Sequence, residues 1–174
     1  MLSKTLSSAT LGVEAYTVEV ETDIQQQLPM FITVGLPDGA VRESKERVTA
    51  AIKNSDFVFP SKKITVNLAP ADIKKEGSAF DLPIAVAILS ATGQILRDRC
   101  DDFVLLGELS LDGAVRAVPG VLPMAMHLKP NNGVKGLIVS AIALAILSAA
   151  SMLIIVWLLG HFQAQKAKTE ALRA

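Results

Sequence analysis

The chain has 174 residues, 51% of them hydrophobic, enough for one domain with a real core. Seventeen basic residues balance seventeen acidic ones, so total charge does not indicate a strongly basic nucleic-acid binder, although a local basic patch stays open. One cysteine, Cys100, excludes an internal disulfide, and two distant histidines, His127 and His161, provide no zinc-type ligand spacing.

The first stretch, 1–35, reads as strands. In "VEAYTVEVET" Tyr16, Val18 and Val20 lie on one face, with Val13, Ala15, Thr17 and Glu19 on the other. "MFITVGLPDG" is an apolar strand running into a turn, after which Asp38 can cap a helix to about Asn54 with Val41, Val48 and Ile52 as its apolar stripe. Arg42–Glu46 and Glu43–Arg47 fall at i,i+4 and read as ion pairs of a solvated face, with no functional role. "KKITVNLAP" is the next strand, followed by a second helix to about Ala91 with Gly93 past its end. "DFVLLGELSLDGAVRAV" reads as a hairpin of two apolar strands around Leu111-Asp112-Gly113. "PGVLPMAMHL" suits a short helix, and "KGLIV" begins either another strand or an apolar span. Interleaved helices and strands with one hairpin predict an α/β domain of two layers around a mixed sheet.

From Gly136 to Gly160 the chain runs for 25 residues without a charge. At about 1.5 Å of rise per residue this suffices for a bilayer core of about 30 Å. The expectation is a domain over 1–139, a transmembrane helix over 140–162 and a short polar tail over 163–174. The alternative is a buried core or interface element. The start "MLSKTLSSATLGVEA" lacks the apolar core of a secretory signal. The expected location is therefore cytoplasmic, with the domain tethered to the inner membrane by its C-terminal helix.

The stretch most open to chemistry is "VNLAPADIKKEGSAFDLPIAVAILSATG", where a strand, a Lys-rich turn and a helix start meet. Asp81 is the favoured N-cap of that helix, because Pro83 then sits second, where its missing N–H loses no bond. Ser78 is a weak candidate nucleophile, since a base would have to be His127, Lys74 or Lys75, and an exposed lysine stays protonated. A loop holding an anion through its amides and lysines is the third reading. Lys62, Lys63, Lys74 and Lys75 flank one strand and are the candidates for DNA or phosphate contact, against a plain solubilising role.

The run from "TVGLPDGAVRESKERVTAAIKNSDFVFPSKKITVNLAP" through "EGSAFDLPIAVAILSATGQI", with "LLGELSLDGAVRAVPGVLPMA" and "KGLIV", closely resembles the N-terminal domain of the YifB/ComM family of magnesium-chelatase-like AAA ATPases. The resemblance covers about residues 3–139 and implies a Lon-protease-like fold. It also implies a homo-oligomer or a ring-forming ATPase partner that acts as a DNA branch-migration helicase in natural transformation. Set against the Lon pattern, Ala79 falls at the nucleophile position and Leu122 at the place of the partner lysine, so both members of that dyad are absent. The family carries its ATPase after this domain, but the sequence contains no Gly-Lys pair and hence no Walker A loop. The resemblance therefore implies a non-catalytic assembly or DNA-contact module, with no cofactor or metal in this chain. ATP and Mg are expected only of the family's missing ATPase part. A truncated or rearranged reading frame would explain the pattern. A residual serine peptidase or a nonfunctional fragment are the alternatives.

Overall fold

Strand β1 (Leu2–Leu11) turns at Gly12 and Val13 into β2 (Glu14–Gln25), and the two pair antiparallel along their length, Leu11 opposite Glu14 and Leu2 opposite Asp23. The computed structural model describes residues 1–96, 100–128 and 134–140. After β3 (Met30–Val34), helix α1 (Gly39–Asn54) crosses back to β4 (Lys63–Ala69), and α2 (Asp81–Ala91) follows. A turn of 3-10 helix at Cys100–Asp102 leads into β5 (Phe103–Leu105). The short strands β6 (Glu108–Leu109) and β7 (Val115–Arg116) come next, then α3 (Val121–His127) and β8 (Gly136–Ile138). Six strands form one mixed sheet in the order β3-β4-β2-β1-β5-β8, while β6 and β7 make a separate two-stranded ribbon.

The alternation read in the sequence sets which face is covered. Val18, Val20 and Ile24 of β2 are buried beside Ile64, Val66 and Leu68 of β4, while Thr17, Glu19, Glu21 and Asp23 stay half-exposed on the opposite face. Val41, Val48 and Ile52 of α1 and Ile84 and Ile88 of α2 close over the buried face to complete the core. Each such aliphatic side chain contributes about 1.5–3 kcal/mol by leaving water. Where α2 crosses β1 the inward residues are small and polar. Ser3 donates to the Ala87 carbonyl at 2.6 Å, Thr5 to Pro83 at 3.1 Å and Ser7 to Leu105 at 3.0 Å, all three fully buried.

Two expectations are corrected. The long hairpin is split: Phe103–Leu105 joins the main sheet parallel to β1, and only Glu108–Leu109 pairs with Val115–Arg116. Leu106 and Gly107 break the run, the Leu106 N–H bonding to the Ile138 carbonyl at 2.9 Å. The fold class, a two-layer Lon-protease-like domain followed by a transmembrane helix, gives way to a mixed α/β fold with a six-stranded sheet. The apolar run begins as strand, since Gly136–Ile138 pairs with β5. Among the described residues no helix is long and apolar enough to cross a membrane. The expected span over 140–162 and tail over 163–174 fall, beyond Ser140, outside the described residues.

Candidate functional site at the start of the second helix

The loop between β4 and α2 is fixed to the start of α1 through its backbone. The Lys75 N–H bonds to the Leu36 carbonyl at 3.1 Å, and the Asp38 N–H to the Lys75 carbonyl at 2.9 Å. Asp38 does double duty: Oδ1 accepts from the Val41 N–H at 2.8 Å as the N-cap of α1, and Oδ2 from the Gly77 N–H at 3.3 Å. The Lys75 side chain folds into this loop and is fully buried, its ammonium donating to the Pro70 carbonyl and, at 2.7 Å, to Ile73. Burial lowers its pKa, with Asp72 opposing.

Beyond Gly77 the side chains turn to the ribbon. The Ser78 hydroxyl donates to a carboxylate oxygen of Glu108, and Arg116 lies 3.6 Å from the other oxygen. The Gly107 N–H bonds to the Ala79 carbonyl and the Leu82 N–H to the Gly107 carbonyl, each at 3.1 Å, so the segment before β6 is clasped over the helix start. Phe80, not Asp81, occupies the N-cap position and makes no side-chain cap bond. Asp81 is the first helical residue and Pro83 the third, still within the turn whose N–H groups have no intrahelical partner.

Asp81 instead turns inward, fully buried, and meets Arg47 of α1. Nε donates to Oδ2 at 2.6 Å and Nη2 to Oδ1 at 3.0 Å, while the Leu109 N–H adds a bond to Oδ2 at 3.2 Å. Burial pushes the Asp81 carboxyl above its ordinary range; the Arg47 and Leu109 bonds pull the other way. The Asp81 bonds in turn hold the Arg47 guanidinium in its protonated form. The i,i+4 spacing with Glu43 predicts Arg47 on a wet face with no role. The structure corrects this, leaving Glu43 only a 4.0 Å contact with it. The signal was Asp81 itself, a carboxylate at the head of an apolar helix, which needs a cation.

In front of the helix start lies a cleft of about 290 Å³, bordered by Ser8, Tyr16, Lys74, Ser78 and Met124. Ser78, the serine singled out in the sequence, gives its hydrogen to a carboxylate rather than to an amine or imidazole. Lys74 is paired with Glu76 at 2.6 Å, Lys75 with carbonyls, and His127 stands exposed at the end of α3. Ala79 and Leu122, at the two dyad positions of the resemblance, offer a backbone carbonyl to Gly107 and an exposed apolar side chain. Among the described residues no three His, Cys, Asp or Glu side chains converge to hold a metal ion.

The four candidate lysines do not form one patch. Lys62 and Lys63 stand at the start of β4 and Lys74 and Lys75 beyond its end, roughly 20 Å apart at strand rise. Lys63 lies close enough to Asp23 to lower that carboxyl's pKa, behind the Gln25 and N-terminal bonds. Lys62 opens onto a second concavity, of about 250 Å³, together with Lys45 and Lys53 of α1. Neither α1 lysine was singled out in the sequence, although residues 45, 49 and 53 fall at i,i+4 on one helical face.

A family model described as subunit ChlI of Mg-chelatase matches residues 20–143. The chain belongs to this family. It is 48% identical to the protein YifB of Escherichia coli over 124 residues, which is 71% of this chain and 24% of that protein. It is 46% identical to the competence protein ComM of Haemophilus influenzae over 117 residues, 67% of this chain and 23% of that one. The resemblance read in the sequence holds. The chain spans about a quarter of the length of the curated relatives it matches. Within the ChlI-family segment lie Arg47, Ser78, Asp81 and Glu108, together with all three lysines of the second concavity.

Proposed function

We propose that this ChlI-family domain is a non-catalytic module that assembles with, or holds DNA for, a ring-forming Mg-chelatase-type ATPase. The observation that carries the reading is the Ser78–Glu108 hydrogen bond. A serine becomes a nucleophile when a neighbouring base withdraws its proton and a third group orients that base. Here the acceptor is a carboxylate, a much weaker base than the amine or imidazole that activates a serine, and the nearest lysines in sequence are committed to Glu76 and to backbone carbonyls. The site works as a clasp: Ser78, Ala79 and Asp81 join the helix start to the ribbon and to α1. The likeness to a competence protein supports a role in DNA handling.

The test uses the purified full-length chain with a serine-reactive phosphonate, alongside peptide-cleavage and ATP-hydrolysis assays. No adduct and no turnover are expected. A Ser78 adduct, or cleavage abolished by Ser78→Ala, overturns the non-catalytic reading. For the assembly half, co-migration with full-length YifB on size exclusion is expected, and independent migration removes it.

A further inference from the structure

We propose that the concavity between α1 and the start of β4 is a contact site for single-stranded nucleic acid. In this site Lys45, Lys53 and Lys62 take the phosphates and Phe31 and Phe59 offer an apolar wall to a base. The inference rests on the DNA-contact half of the function proposed above and gives it a location.

Three observations carry it. The charges are available: Lys53 and Lys62 have no carboxylate partner among the described residues, and Lys45 has only Glu46 at 3.5 Å. The rings are in place: Phe31 and Phe59 both line the hollow and are half-buried, packed on the core behind it. A polar atom beside it is unsatisfied: Thr49 lines the hollow, and its hydroxyl, tucked beneath the surface, has no hydrogen-bond partner. Cations beside aromatic faces match a backbone with unstacked bases, because every base has a face to stack and every linkage a charge. A concavity of about 250 Å³ suits a splayed-out base. A duplex is instead read by elements that project into its grooves. One carboxylate, Glu46, shares the hollow with the three ammonium groups, so the net charge of its lining still favours a polyanion.

The experiment measures binding of an oligothymidylate of about fifteen nucleotides to the full-length chain across a salt series. Expected for Lys53→Ala/Lys62→Ala is a loss of about tenfold in affinity and a salt slope shallower by about 1.4, two contacts at about 0.7 each. Lys53→Arg/Lys62→Arg should bind as the parent does, and Lys74→Ala should change nothing. Unchanged melting temperatures exclude a folding artefact. Equal binding by the alanine pair and the parent overturns the site while leaving DNA contact elsewhere. Absence of any binding overturns both. Tighter binding of an acidic peptide than of the oligonucleotide overturns the site as well, by assigning these lysines to a protein partner. A phosphonate adduct at Ser78 would leave this result untouched.

Discussion

Arg47 holds Asp81 with two hydrogen bonds, 2.6 and 3.0 Å long, and so joins the middle of the first helix to the first residue of the second. Asp81 is fully buried and Arg47 is 22% exposed, so the pair is sheltered from most of the solvent that weakens surface pairs. The guanidinium also reaches the Ala40 carbonyl at 3.0 Å, tying its own helix start into the same cluster.

Removing the cation strands a buried carboxylate, which is far worse than removing the pair. Arg47→Ala should lose about 3–5 kcal/mol in urea unfolding. Arg47→Met with Asp81→Leu together should recover much of that loss, since an apolar pair escapes the desolvation cost. Arg47→Lys should fall between, keeping the charge but not the fork. An Arg47→Ala variant as stable as the parent would show that Asp81 is satisfied without it.

What could be read in the sequence was whatever a local period encodes. The alternation in Val18 and Val20 marked the buried face of β2, and the Asp38 cap and the stripe Val41, Val48, Ile52 fixed α1. The short strand at Gly136–Ile138 could not be told from the head of an apolar span, because both are runs of aliphatics and only its pairing with Phe103–Leu105 separates them. Asp81 looked like a cap because local backbone reasoning has no knowledge of Arg47, 34 residues away. For the same reason Lys75 passed for a surface lysine, although the bridge between Pro37 and Lys75 draws it under the loop.

Gly35, just past the end of β3, has φ +95°, and a Cβ built there would sit 2.2 Å from the carbonyl oxygen of Leu68 in the neighbouring strand. Both the backbone conformation and the clash oppose any side chain, and the obstacle is main chain that cannot rotate away. Gly35→Ala should destabilise by more than about 1 kcal/mol, the penalty for backbone conformation alone. Equal melting temperatures for the two proteins would contradict the close approach of β3 and β4 at this point.

Lys75 makes stability depend on pH in a defined direction. Burial lowers the folded pKa from the ordinary 10.5, so below the folded value both states hold the proton and above 10.5 neither does. Between the two the unfolded chain binds more protons, and stability rises with pH across that window. Lys75→Met should cost about 1–3 kcal/mol by leaving buried carbonyls without a donor. The gap between parent and variant should widen as pH rises toward 10.5. A gap that is flat or narrowing, measured by denaturant melts at each pH, would mean that the amine is not desolvated in the folded chain.

The polar row Ser3, Thr5 and Ser7 beneath α2 supplies a last test, because its size and its hydroxyls have separable effects. Each hydroxyl donates to a carbonyl, but in α2 the acceptors are helix carbonyls with a second lone pair, so losing the donor removes a bond without exposing a wholly unpaired group. Thr5→Val, which keeps the shape, should therefore cost only about 0.5–1.5 kcal/mol. Ser3→Leu has to push the helix off the sheet and should cost about 1–3 kcal/mol beyond the lost bond. Ser3→Ala should resemble Thr5→Val. If Ser3→Leu were tolerated as well as Ser3→Ala in thermal unfolding, α2 would not be held close to β1 by the smallness of these residues, and the hydroxyl bonds alone would have to account for its seating.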